Sequence, residues 1–79
     1  MVLVVFDFPP VLKDRYFPEP DEDIRDYRVE LELQDDNLDI ESIEIVDKSG
    51  RVLWNSVAYP KEDLRKIAIE LMASFIRSL

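Results

Sequence analysis

The sequence predicts an α+β fold: an antiparallel sheet of three to four strands, ordered β–long loop–β–β–β–α, with one C-terminal helix packed on one face. Three observations carry that class. Tyr27, Val29, Leu31 and Leu33 alternate strictly with Arg28, Glu30, Glu32 and Gln34, the pattern of a strand with one buried face. The only glycine, Gly50, ends the polar run Asp47-Lys48-Ser49-Gly50 between two β-rich stretches, where a hairpin needs a left-handed residue. An apolar stripe at helical spacing then runs from Leu64 to Leu79. The 79 residues leave room for one domain only, 1–79.

Each element has its own signal. Val2–Phe8 is apolar on both parities except at Asp7, which predicts a central strand covered on both faces. Four of the five prolines fall between Pro9 and Asp23, so a Pro-rich loop is expected over about 9–24. After the polar turn Asp35-Asp36-Asn37, residues Leu38–Val46 alternate again, slipping once at Glu41-Ser42, where a β-bulge is expected. Arg51–Ala58 is the return strand. Tyr59-Pro60-Lys61-Glu62-Asp63 opens a helix, with proline in the first turn and two acids at its positive end. That helix should reach about Leu79. Its stripe of Leu64, Ile67, Ala68, Leu71, Met72, Phe75 and Leu79 should lie on the sheet. Ile69 and Ile76 fall beside the stripe and widen it, which nominates Ile69, Met72 and Ile76 as a self-association surface, with the first strand as the alternative.

Charge is abundant and lopsided, 18 Asp plus Glu against 10 Lys plus Arg, a net −8. From Glu19 to Asp47 there are 13 acids and two basic residues, so the whole negative excess lies in one stretch. Such a surface repels nucleic-acid backbones and anionic membranes, so neither is expected as a direct partner. Histidine and cysteine are absent. The chain therefore has no disulfide, no Cys/His zinc site, no imidazole base and no thiolate. No apolar run is long enough for a membrane span, and a cytoplasmic location is the expectation.

Chemistry-bearing patterns are few. The paired carboxylates stand mostly at positions that alternate with buried ones, facing water rather than a cleft. Asp35, Asn37 and Asp39 match the opening of a calcium loop. The required glycine is Ile40, however, and the closing acid is Val46. A single glycine makes no phosphate cradle, and serine has no base partner. No enzyme activity, cofactor or metal is expected. The remaining feature is Tyr16-Phe17-Pro18-Glu19-Pro20-Asp21-Glu22-Asp23, two aromatics before an acidic run. Capping of the sheet explains the aromatics. A partner-binding anchor with an acidic rim is the functional alternative.

The function expected is that of a small acidic protein-interaction module, accessory or regulatory and non-catalytic, forming a homodimer and binding a basic partner protein. Its candidate partner-binding residues are Tyr16, Phe17, Asp21, Glu22, Asp23, Asp35, Asp36 and Asp39. The rival expectation is a nucleic-acid mimic, an inhibitor or antitoxin whose carboxylates imitate phosphates in the binding site of a basic partner. Mimicry requires the acids to share one continuous face.

Overall fold

Burial in the sheet follows the period-two pattern of the sequence. In β2 (Arg28–Leu33) the side chains of Val29 and Leu31 are buried, and in β3 (Ile40–Val46) those of Ile43 and Ile45 are. All four face the same side and are at most 1% exposed. The computed structural model describes residues 1–79. It places β1 (Val2–Asp7) and β4 (Val52–Asn55) on either side of that pair, in the antiparallel order β1-β2-β3-β4. Phe6 stands opposite Val29, Val29 opposite Ile45, and Ile45 opposite Trp54, so one apolar row crosses the whole sheet. The final helix, α2 (Lys61–Arg77), buries Leu64, Ala68 and Leu71 against this face. The antiparallel four-stranded sheet and the one C-terminal helix that follows it are those the sequence predicts.

The segment between β1 and β2 does more than connect. It holds a 3-10 turn at Pro10–Leu12 and a short helix, α1 (Lys13–Tyr16), where the sequence predicts only a loop. Prolines are tolerated at the first positions of helical turns, and Pro10 starts one here. Leu12, Phe17 and Ile24 enter the same cluster as the helix and strand residues. Helix and loop therefore lie side by side on one face of the sheet. Arg15 forms an ion pair with Glu70 of α2, and Tyr16 meets Trp54 edge-on with ring centroids 5.0 Å apart.

A placement and a boundary differ from the sequence reading. β1 is an edge strand, not a central one, because sequential antiparallel pairing leaves it only β2 as a neighbour. β4 stops at Asn55, three residues early. The Asn55 side chain accepts a bond from the Val57 amide at 3.0 Å, turning the chain out of the ladder towards α2. The expected bulge is present: Glu32 faces Ser42 and Leu33 faces Ile40, which leaves Glu41 unopposed. At the β2–β3 turn the left-handed residue is Leu38, with φ at 58°, rather than the neighbouring asparagine. Asn37 instead accepts from the Asp39 amide at 3.0 Å.

Past the end of β4 the ladder continues by substitution. The Ser56 amide donates to the Ile43 carbonyl, and the buried Ser56 hydroxyl accepts from the Ile43 amide, both at 3.0 Å. Ser56→Ala strands a buried amide on a central strand, which costs about 1–3 kcal/mol. Its denaturant midpoint should fall accordingly, with the slope unchanged. An unaltered midpoint would show that water reaches Ile43.

Candidate functional site

The face opposite α2 carries no covering element. Its rows run Leu3–Glu32–Ser42 and Val5–Glu30–Glu44–Asn55, beside a third row of Asp7, Arg28, Val46 and Val52 in which Val46 alone is buried. Leu3 is 56% and Val5 46% exposed, and none of these residues belongs to the core cluster. Alternation puts Glu30 and Glu32 here for the same reason it buries Val29 and Leu31. Glu30, Glu32 and Glu44 take part in no ion pair, and Glu30 stands directly opposite Glu44 across the strands. Like charges placed so oppose pairing. This is a shallow acidic sheet surface bordered on the β1 side by two exposed aliphatic side chains.

The residues expected to bind a partner are dispersed by the fold. Phe17 is in the core at 6% exposure, with its ring edge-on to Phe8 and Tyr27. Tyr16 is half-buried between Phe8 and Trp54, and burial, aided by the nearby Glu70 charge, raises its phenol pKa. The aromatic pair caps the sheet beside α2, on the covered face, and Phe17 has no surface to offer as an anchor. Asp21, Glu22 and Asp23 lie where the chain enters β2, while Asp35, Asp36 and Asp39 lie beyond its other end. Six strand residues, roughly 20 Å, separate the groups.

Several of these acids already have partners. Glu22 accepts the Tyr27 hydroxyl at 2.7 Å, which pushes that phenol up to about 12. Hydrogen bonds from the Arg25 side chain, one of them 2.6 Å long, hold Asp23 down to about 2. Asp35 pairs with the N-terminal amine. Asp47, in the hairpin turn, is lowered chiefly by the Ser49 hydroxyl and accepts amide bonds from Ser49 and Arg51. Asp21, Asp36 and Asp39 are exposed and form no ion pair.

The self-association candidates share one flank of α2. Ile69 is 58% and Ile76 60% exposed, with Met72 between them at 39%. A hundred degrees per residue sets this flank well away from Glu70, which turns towards Arg15 and the loop. It therefore faces the β1 side of the molecule, where Phe75 packs on Phe6 at 5.2 Å between centroids. The same flank starts in a groove between α2 and the β2–β3 turn, lined by Leu38, Ile40, Arg65 and Ile69. Comparison with protein families, curated proteins and solved structures finds no match to the chain.

Alternation sets Glu30 and Glu32 towards water on an open sheet face, but it does not by itself place Glu44 directly opposite Glu30. Which strands are neighbours decides this, and strand order is not written in the alternation. Relieving the Glu30–Glu44 opposition by Glu44→Gln should stabilise the fold by about 0.2–1 kcal/mol, read as a higher denaturant midpoint. A lower midpoint would mean that Glu44 has a favourable partner. A second outcome concerns Tyr27, whose folded pKa lies above its unfolded value. Its contribution is complete below pH ~10 and is lost as pH rises through about 12. Stability should fall across that alkaline window, and by less in Tyr27→Phe.

Proposed function

We propose that the protein is a non-catalytic binding module, a homodimer that presents an acidic sheet face to a basic partner protein. The observation that carries this reading is the uncovered face holding Glu30, Glu32 and Glu44 without a counter-ion beside the exposed Leu3 and Val5. Unpaired carboxylates on a rigid strand surface attract a cationic partner and orient it, while adjacent aliphatic side chains supply area to desolvate. The opposed pair Glu30 and Glu44 fits a surface whose charge is compensated on binding. Localisation to the cytoplasm belongs to the same proposal.

The mimic reading is the less favoured of the two. Double-stranded DNA carries one charge per ~1.7 Å of axis, and three glutamates on two strands do not approach that density. The two terminal acid groups stand apart from them and do not extend the array into one strip.

The test uses the intact chain as bait in its native cell. Glu30→Gln, Glu32→Gln and Glu44→Gln together should abolish capture of a partner that the wild type retains, while thermal stability rises or holds. With that partner purified, association should slow steeply as salt increases for the wild type and weakly for the triple variant, because exposed charges act over about 8–10 Å. An association rate insensitive to salt would sink the acidic-face reading. Competition by duplex DNA for the partner's site would favour the mimic.

A further inference from the structure

Resting on the homodimer reading above, we infer that two copies join edge to edge through antiparallel β1 strands, forming one continuous eight-stranded sheet. The starting point is a mismatch. Val2–Phe6 is apolar on both faces, a pattern suited to a strand with neighbours and cover on all sides, yet β1 lies at the sheet edge. Leu3 and Val5 are exposed on one face, and Val2 is 39% exposed on the other. The strand contains no proline, lysine or bulge to block edge pairing, and its single charge, Asp7, stands at its end.

The ladder identifies which groups are free. The Phe8 amide donates to the Tyr27 carbonyl at 3.0 Å, continuing the register in which Asp7 faces Arg28. Alternate residues of an antiparallel strand bond to the same neighbour, so Val2, Val4 and Phe6 bond to β2. Leu3, Val5 and Asp7 turn their amides and carbonyls outward. A two-fold axis through Val5, normal to the sheet, sets Val5 against Val5 and Leu3 against Asp7 of the second copy. Each of these pairs can then exchange both main-chain bonds. The register keeps like faces together because paired residues have the same parity.

The same axis accounts for the apolar flank of α2. It sets Val4 of the second copy beside Phe6, next to Phe75 and under the Met72 and Ile76 flank. A second copy thus covers the strand edge and the helix flank at once, whereas an added single strand would cover only the edge. Charge permits the approach despite −8 per chain. Residues 2–6 carry no charge, and the two β2 strands stand three strand spacings apart, roughly 14 Å. That exceeds the screening length of about 8 Å. The β2 glutamates of the two copies are therefore shielded from one another, and both acidic surfaces face the same way.

Sedimentation equilibrium across the micromolar range tests the interface. The wild type should sediment at twice 9.3 kDa. Val5→Pro removes one outward amide, at a kind of position where edge strands accept proline, and should sediment at the single mass with its circular dichroism unchanged. Should that variant unfold, Val5→Lys keeps every backbone donor and sets two ammonium groups against each other at the axis. It should be a folded monomer. A wild-type monomer would overturn both this interface and the homodimer reading, and would leave the edge open to a strand of a different protein. Dimers persisting in the folded Val5→Pro or Val5→Lys variant would overturn the β1 interface alone. Ile69→Glu with Ile76→Glu would then identify association through the helix.

Discussion

One limitation of size governs the structure: 79 residues supply enough chain to cover one face of a four-stranded sheet. Val29, Leu31, Ile43 and Ile45 form the middle of that face, and everything that can shield them is placed over it. The long helix takes one side and the Pro-rich segment takes the other. Small domains hide a smaller fraction of their surface than large ones, and here the deficit is concentrated rather than spread. It falls on the opposite face, on the first strand and on one helix flank. The surfaces to which a binding role is assigned are the ones the core could not reach.

Much of this was legible from the residues. Alternation fixed β2 and β3, the Gly50 turn fixed their connection to β4, and helical spacing together with Pro60 fixed α2. The slip at Glu41 marked the bulge because one extra residue reverses the parity of all that follow it. Less legible was anything that depends on which segments meet. The prolines hid two helical turns, since a rule against helix interiors says little about helix starts. Phe17 stands in an acidic neighbourhood in sequence and in an apolar one in space. Asp21 and Asp36 look like members of a single charged stretch, but a strand runs between them and carries them to opposite ends.

On the open face, stability and the proposed binding pull against each other. Glu30 opposite Glu44 weakens the pairing of the two central strands, which the rest of the sheet depends on. A lysine at either position would join the strands better. It would also cancel the field that distinguishes this face from an ordinary solvated one. Because the buried side of these strands is fully apolar and well packed, the sheet can tolerate the opposition.

The segment between β1 and β2 has a consequence for the order in which the fold forms. β2, β3 and β4 are joined by short turns and can zip together as successive hairpins, each closing a small loop. β1 reaches β2 only after the chain from Phe8 to Tyr27 has folded back, a longer closure that lacks a turn to direct it. The first strand in sequence is thus the last to be secured, held by a single neighbour. Until then its aliphatic residues are free in solution, and after docking its outward amides have no partner within their own chain. In a chain without a second copy, native-state hydrogen exchange at β1 would alternate along the strand, rapid at Leu3 and Val5 and slower at Val4 and Phe6, a residue-level rhythm that pairing of two β1 edges would erase.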